Sequence, residues 1–160
     1  MGSSVKIVRA GVEHSSLIAK MFASLHNSHE MQVASYFRKI DDLNKISADI
    51  EEKIENKRRI FLIGYCDGEA CGFLEGSLKR TEDSILFIPK TVAVIENVYV
   101  LPGYRRRGCA TALFEGFFDY ANARAVDFFE LDVLINNQGA LDFYKSLNFF
   151  PHIITMLRKP

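Results

Sequence analysis

The residues best suited to chemistry lie in a short turn, Arg105-x-x-Gly108-x-Ala110. The turn follows an apolar strand pattern and leads into a helical pattern, which places it at a helix N-terminus. Backbone N–H groups in the first turn of a helix lack intrahelical acceptors, and the aligned peptide dipoles add partial positive charge there. Because Gly108 has no β-carbon and Ala110 has only a methyl group, phosphate oxygens can approach the backbone closely. The turn therefore predicts a site for a pyrophosphate.

Three adjacent arginines, Arg105, Arg106 and Arg107, belong to this turn. Cations at a helix N-terminus oppose the helix dipole by about 0.3–1 kcal/mol, so a bound anion would compensate them. The same cluster could bind nucleic acid, but three consecutive side chains project in different directions. The chain also has 20 Lys and Arg residues against 20 Asp and Glu residues, and its net charge of zero provides no long-range attraction for nucleic acid. We therefore expect a local anion site and no nucleic-acid partner.

The composition of the whole chain is that of an ordinary globular protein. Of its 160 residues, 48% are hydrophobic and 25% are charged, which favours one domain over 1–160. No apolar run approaches the roughly 18 residues that span a membrane, and the first residues lack the apolar core of a signal peptide. An odd number of cysteines without zinc spacing, Cys66, Cys71 and Cys109, suits a reducing compartment, and the first two are expected to be half-buried thiols. We expect a cytoplasmic protein with no membrane partner.

The elements that must position the turn follow from hydrophobic periodicity and turn signals. Their order is β-α-α-β-β-β-α-β-α-β, which predicts an α/β protein with a mixed α+β sheet and helices on both faces. Segment 81–90 is a loop or an irregular edge, because Pro89 interrupts a strand pattern. The predicted strands are 5–10, 60–66, 70–78, 91–101, 128–135 and 149–157, and the predicted helices are 13–26, 43–58, 110–121 and 138–147.

A second motif follows the turn after about 30 residues, the length of one strand-helix-strand unit. This second motif is Asn137-x-x-Ala140-x-x-Phe143-Tyr144-x-x-Leu147-Asn148-Phe149. Together with the strand and turn from Ile95 to Ala110, it resembles the GNAT superfamily of acyl-CoA-dependent N-acetyltransferases. Asn148 stands where the family usually has Gly, and Asn tolerates the left-handed backbone of a helix cap. The resemblance implies a GNAT-like fold with splayed central parallel strands, one of which often carries a bulge.

The resemblance implies that acetyl-CoA is the co-substrate and that its acetyl group passes directly to a primary amine in a ternary complex. The backbone of the strand would hold the pantetheine arm, and the amides of the turn would hold the pyrophosphate. Asn137 would bind the cofactor or cap a helix. The residues implied in acetyl-CoA binding are Val98, Tyr99, Val100, Arg105, Arg106, Arg107, Gly108, Cys109, Ala110, Thr111 and Asn137.

Two residues are the candidate catalytic groups. A lysine-like amine, with a pKa of about 10.4, must lose a proton, and the departing thiolate benefits from gaining one. Glu96 lies on the strand beside the implied thioester site and is the candidate base, or else a solvent-facing or salt-bridged residue. Tyr144 matches the family tyrosine that protonates the thiolate, or else is a core residue. An acyl-enzyme on Cys109 is discounted, and three further carboxylates could serve as the base: Glu75, Glu130 and Asp132.

The acceptor is expected to be a small-molecule or peptide amine. In the family the first two helices and their connection line the acceptor side, which makes four residues candidates for contact or for ordinary surface packing: His29, Glu30, Tyr36 and Phe37. No metal is expected, because His14, His26, His29 and His152 have no metal-ligand spacing. Family members commonly dimerise, so a homodimer is expected. A non-catalytic acyl-CoA-binding module of the same fold is the alternative function.

Overall fold

A mixed five-stranded sheet forms the centre of the computed structural model, which describes residues 4–30, 40–158 and 160. The strand order is β1-β2-β3-β4-β5, and β5 is parallel to β4 whereas the other neighbours are antiparallel. The elements are β1 Val5–Arg9, α1 Ser15–Glu30, α2 Leu43–Glu55, β2 Arg59–Cys66, β3 Glu69–Arg80, β4 Thr91–Val100, α3 Cys109–Asn122, β5 Phe128–Leu131 and α4 Gln138–Ser146. A short 3-10 turn, Pro102–Tyr104, leads from β4 toward α3.

Alternating strand side chains divide the core into two layers. On one face of the sheet, Phe61, Ile63 and Phe73 pack with the apolar stripes of α1 and α2. On the other face, Leu62 and Leu74 pack with the buried side of α3. Helices therefore cover both faces, as the sequence predicts, because successive strand residues point to opposite sides.

An aromatic cluster fixes α4 against α3. The ring centroid of Phe114 lies 5.4 Å from that of Phe143 and 6.2 Å from that of Phe149. Asn148, just beyond the helix, has a φ of 66°, and its N–H donates to the Lys145 carbonyl over 3.0 Å. This left-handed residue ends α4 where the sequence predicts it.

The prediction of a last strand over 149–157 is wrong. Residues 149–158 form no strand, and Pro151 lacks the N–H that a ladder position requires. The parallel pair β4 and β5 consequently lies at one edge of the sheet rather than at its centre. Large apolar side chains in this segment are exposed: Phe150, Ile153, Ile154, Met156 and Leu157.

The remaining predicted elements are present with shifts of a few residues at their ends, except that β5 covers only the first half, Phe128–Leu131, of the predicted strand 128–135. The hairpin of β2 and β3 turns at Asp67 and Gly68, both of which have positive φ angles. Segment 81–90 is a loop, closed by hydrogen bonds between Thr81 and Lys90. Within the described residues, the structure contains no helix with the length and apolar character needed to cross a membrane.

The parallel strands β4 and β5 pair only over Val92–Ile95 and Phe128–Leu131. From Glu96 onward, β4 continues for five residues beside β3 but has no described strand on its other side. The two strands therefore separate in the way that the predicted splay requires.

Close packing between β3 and α3 generates a stability prediction. A β-carbon at Gly76 would overlap the ring of Phe117, which is fully buried. We expect Gly76→Ala to lower the free energy of unfolding by about 1–3 kcal/mol, because the core must shift to accommodate the methyl group. Urea unfolding measures this loss.

The matched control is Gly139→Ala in α4, where no atom lies within 4 Å of an added β-carbon. This variant should equal the wild type or gain up to about 1 kcal/mol. Equal unfolding midpoints for the two variants would contradict the close packing of Gly76 on Phe117.

Candidate functional site

A β-bulge in β4 lies where the parallel strands separate. In the β3–β4 register, Glu75 is opposite Asn97 and Gly76 is opposite Ile95, so Glu96 is an extra residue. The bulge shifts the side-chain alternation of β4. Residues Ala93 and Ile95 before the bulge pack on the α3 side, and so do Val98 and Val100 after it. The bulge therefore places Glu96 and Asn97 on the α1–α2 side of the sheet.

The open edge of β4 is formed by the residues expected to hold the pantetheine arm. Val98 and Val100 pack their side chains toward α3, and Tyr99 is buried on the opposite face. On the β3 side, Gly72 lets the two backbones approach closely, since an added β-carbon there would be 3.1 Å from the Val100 Cα. Beyond Ile95, no described strand pairs with the other edge of β4, so its backbone groups there are available to an extended ligand.

The N-terminus of α3 has the geometry of an anion site. Its N-cap residue, Gly108, has a φ of 81°, and no side chain caps the helix. The first helical hydrogen bond runs from the Ala112 N–H to the Gly108 carbonyl over 3.0 Å. The N–H groups of Cys109, Ala110 and Thr111 therefore have no intrahelical acceptor. No atom lies within 4 Å of an added β-carbon at Gly108, so the space beside the backbone is open.

The three arginines of the turn separate into different environments. Arg105 Nε donates to the Val100 carbonyl over 3.1 Å, and the guanidinium lies 5.9 Å from the centre of the Tyr99 ring. Arg107 lies over the Tyr104 ring at 5.7 Å. Arg106 has a φ of 60° and no hydrogen bond or ion pair within the described residues. All three arginines are exposed, and Arg106 is the one of the three for which no contact is described.

Glu96 is held by two donors at the bulge. Ser77 Oγ donates to Glu96 Oε1 over 2.6 Å, and Lys79 Nζ lies 3.0 Å from the same oxygen. Burial raises the pKa of Glu96, but the hydrogen bond from Ser77 and the hydrogen bond and charge of Lys79 outweigh it, so the pKa lies below its ordinary value. The carboxylate is ionised at neutral pH and 24% exposed.

Glu75, a second candidate base, is buried, and both of its carboxylate oxygens accept hydrogen bonds. Arg59 Nη1 donates to Glu75 Oε1, and Asn97 Nδ2 donates to Glu75 Oε2 over 2.8 Å. The sequence does not predict that Arg59 and Asn97 are the partners of Glu75. A carboxylate within the apolar run of β3 is the signal that could have found them, because a buried charge requires a partner. The remaining two candidate bases are exposed at the β5 end of the sheet: Glu130 and Asp132.

Tyr144 and Asn137 lie at the two ends of α4. The Tyr144 ring centroid is 5.8 Å from that of Phe114 and 6.2 Å from that of Phe149, and burial raises the pKa of its phenol. Its hydroxyl makes no hydrogen bond to the rest of the described chain. Asn137 Oδ1 accepts from the Ala140 N–H over 3.2 Å, so this side chain caps α4.

Three free thiols form a buried cluster behind the turn. Cys66, Cys71 and Cys109 are each at most 1% exposed and pack together under Tyr104. Burial, a hydrogen bond with Cys109 and the neighbouring thiols raise the pKa of Cys71 to about 12. The expectation of half-buried thiols is wrong, because β2, β3 and α3 enclose them together. Cys109 can offer its backbone to a ligand, but its side chain faces the core.

The acceptor-side candidates fall partly outside the described residues. Tyr36 and Phe37 belong to segment 31–39, which is not described, and the side chains of His29 and Glu30 at the end of α1 are likewise outside the description. Among the described residues, no group of His, Cys, Asp and Glu side chains could hold a metal ion.

Sequence comparison connects this geometry with known proteins. Residues 23–149 match the model of the Acetyltransferase (GNAT) family. The chain is 25% identical over 114 residues to the uncharacterized N-acetyltransferase YhfO of Bacillus subtilis, covering 71% of this chain and 74% of that protein. It is 31% identical over 102 residues to an aminoglycoside N(6')-acetyltransferase type 1 of Acinetobacter baumannii, covering 63% and 69%. A 60-residue segment is 42% identical to the uncharacterized N-acetyltransferase MJ1207 of Methanocaldococcus jannaschii, but spans only 26% of its length.

Structure comparison gives the same fold. A mutant of the BH1408 protein from Bacillus halodurans superposes with a TM-score of 0.90 at 21% identity, covering 97% of this chain and 99% of that one. The aminoglycoside N-acetyltransferase AAC(6')-Iy in complex with CoA superposes with a TM-score of 0.78 at 21% identity, covering 99% and 97%.

The buried thiol cluster generates a reactivity prediction. We expect an aromatic disulfide reagent at pH 8 to modify the native protein slowly, because the thiols are enclosed and the raised pKa keeps Cys71 protonated. The modification should be complete and rapid after unfolding in urea. Absorbance of the released thiolate measures both rates, and rapid modification of the native protein would contradict the enclosure.

Proposed function

Because the chain belongs to the GNAT acetyltransferase family, we propose that it transfers the acetyl group of acetyl-CoA to a primary amine within a ternary complex. The observation that carries this proposal is the continuity of two features. An unpaired edge of β4 begins at the Glu96 bulge and leads to the uncapped N-terminus of α3. Together they fit a ligand with a hydrogen-bonding arm and a pyrophosphate.

The part of the site that binds the acetyl donor consists mainly of backbone groups. The N–H groups of Cys109, Ala110 and Thr111 bind the pyrophosphate, and Arg106 adds positive charge beside it. The backbone of β4 from Val98 to Val100 binds the arm of acetyl-CoA in the manner of an added strand. The Asn137 amide nitrogen is left free by the helix cap to donate to the same ligand.

The chemical step uses the bulge and α4. Glu96 accepts a proton from the acceptor ammonium, directly or through water, and the amine nitrogen then attacks the thioester carbonyl carbon. A carbon–nitrogen bond forms as the carbon–sulfur bond breaks. Tyr144 donates its phenolic proton to the departing sulfur, and its raised pKa keeps that proton in place beforehand. After the carbon–nitrogen bond has formed, the nitrogen releases its second proton to solvent. Glu96 then releases the proton that it accepted and Tyr144 regains one from solvent, so each turnover of an ammonium acceptor releases one net proton.

The acceptor is a small-molecule or peptide amine. Two of the relatives are aminoglycoside acetyltransferases, but identities of 28–31% do not carry their acceptor over to this chain.

A single transferase domain over 1–160 and a cytoplasmic location remain predictions from the sequence.

We also propose that the protein forms a homodimer. Exposed apolar side chains in the segment after α4, together with Ile85–Ile88 in the β3–β4 loop, would lose water contact against a second copy. Light scattering should give about twice the monomer mass of 18.2 kDa, and a monomer at micromolar concentration would contradict this proposal.

The assay of the proposed function follows release of the CoA thiol from acetyl-CoA with a panel of primary amines. Amine-dependent release, with the N-acetylated product identified by mass, supports the transferase. Calorimetric binding of acetyl-CoA without transfer to any amine or peptide would instead favour the non-catalytic acyl-CoA-binding module.

We predict that Glu96→Gln lowers kcat/KM about 100-fold while leaving acetyl-CoA affinity unchanged, because the base is lost and the side-chain shape is kept. The pKa of Glu96 lies below its ordinary value of 4.5, so the carboxylate is ionised across the neutral range. The defect should therefore be uniform above pH 5 and shrink only as acid protonates the wild-type group. Glu130→Gln removes the same charge from exposed β5 and is the control. Wild-type turnover in Glu96→Gln would rule out its role as base.

We also predict that Tyr144→Phe lowers kcat at least about 10-fold with little change in acetyl-CoA affinity, because only the proton donor is lost. The raised pKa predicts no basic limb from this group below pH 10. Tyr120→Phe is the control, since the Tyr120 hydroxyl is buried without a partner in the described structure. Equal kcat in the two variants would exclude Tyr144 as the acid.

A further inference from the structure

Lys79 is a primary amine that contacts the proposed catalytic base. Its Nζ lies 3.0 Å from Glu96 Oε1, the same oxygen that accepts a hydrogen bond from Ser77 Oγ over 2.6 Å. In the proposed reaction the acceptor ammonium gives its proton to this carboxylate, directly or through water. The Lys79 ammonium therefore already makes the contact through which a bound acceptor would lose its proton.

The strand register explains why Lys79 reaches Glu96. Side chains alternate along β3, so Lys79 shares a face with Phe73, Glu75 and Ser77, and Phe73 packs in the layer beside α1 and α2. The bulge places Glu96 on that same side of the sheet. The Lys79 side chain is 57% exposed. An ion pair that exposed is weak, and the four-carbon stem of lysine is flexible, so Nζ can leave the carboxylate by rotation of its own side chain.

Two other described lysines form comparable ion pairs away from the open edge of β4. Lys90 Nζ lies 3.3 Å from Asp127 Oδ1, and Lys53 Nζ lies 2.6 Å from Asp49 Oδ2. The Lys90 pair precedes β4 and β5, at the end where these strands still pair, and the Lys53 pair lies along α2. Of these three lysines, Lys79 alone has a proposed catalytic base as its partner.

Resting on the proposed function, we propose that Lys79 is an internal acceptor and that the protein acetylates this side chain from acetyl-CoA when no external amine is bound. Glu96 accepts one proton from the Lys79 ammonium, and the nitrogen attacks the thioester carbonyl carbon. The carbon–nitrogen bond forms as the carbon–sulfur bond breaks, and Tyr144 protonates the departing sulfur. The nitrogen then releases a second proton to solvent.

The products of this step are the Lys79 acetamide, CoA thiol and one net proton, once Glu96 and Tyr144 have returned to their starting states by exchange with solvent. The reaction limits itself, because each chain holds one Lys79. It also removes the positive charge beside Glu96 and leaves Ser77 as the described donor to that carboxylate.

The first test incubates the purified protein with acetyl-CoA and no added amine. Intact mass should rise by one acetyl group, and release of CoA thiol should end near one equivalent per chain. Peptide mapping should show that Lys79 is acetylated at least about 10-fold faster than Lys90, the matched ion-paired control. Equal rates at the two lysines would indicate uncatalysed reaction of exposed amines and would overturn the proposal.

Variants separate catalysed transfer from the intrinsic reactivity of an exposed lysine. Glu96→Gln breaks the ion pair and makes the Lys79 amine easier to deprotonate, so uncatalysed acetylation would become faster. The proposed transfer should instead become at least about 10-fold slower, because the base is lost. Tyr144→Phe keeps the ion pair and should also slow the transfer, whereas Glu130→Gln should match the wild type. A rate in Glu96→Gln equal to or above that of the wild type overturns the proposal.

Dilution tests whether the transfer is internal. The first-order rate constant for acetylation of Lys79 should not change with protein concentration, because the amine and the bound thioester belong to one assembly. A rate constant that rises in proportion to protein concentration would show transfer between separate molecules and would overturn the internal acceptor.

Failure of the inference and failure of the proposed function give different results. Acetylation of free amines beside an unmodified Lys79 leaves the transferase intact and removes the internal acceptor. If acetyl-CoA binds in calorimetry but neither a free amine nor Lys79 is acetylated, the transferase function fails and the internal acceptor fails with it. Acetylation of Lys79 that depends on Glu96 and Tyr144 supports the inference, whichever free amines are accepted.

Discussion

The separation of β4 from β5 after Ile95 is the constraint on which the rest of the site depends. Backbone N–H and C=O groups inside a protein must find partners, and β3 supplies them on only one edge of β4. The strand β5 stops at Leu131, so no described strand pairs with the other edge of β4 beyond Ile95, and the proposed ligand would supply amides of its own there. Because β3 pairs with β4 along its whole length, the open edge is held in place without a second neighbouring strand.

The bulge converts this open edge into a site with two chemically distinct sides. One extra residue moves Val98 and Val100 onto the apolar layer beside α3, and it places Glu96 on the polar side with Glu75. Two carboxylates so close together require cations, and Arg59 and Lys79 supply them from β2 and β3. The charge arrangement beside the bulge is therefore a consequence of its register.

The sequence was sufficient for the features that local pattern controls. The turn at Gly108, the left-handed Asn148 and the element order through α4 all depend on residues near one another in the chain. Pairing across the sheet could not be predicted in this way. The Arg59 partner of Glu75 lies sixteen positions away, and the bulge at Glu96 exists only relative to β3. The segment 149–157 has strand-like composition, but a strand also needs a neighbour, which composition cannot provide.

Arg105 connects the loop before α3 to the end of β4. Its Nε holds the last carbonyl of β4, and its guanidinium lies over Tyr99 of the same strand. The loop before α3 is thereby tied to the strand, and the span from the Glu96 bulge to Val100 is about 13 Å at about 3.3 Å per residue. The distance between the N-terminus of α3 and the Glu96 bulge is thereby fixed. In the proposed binding mode, a thioester reaches the bulge only when the arm that carries it has the matching length.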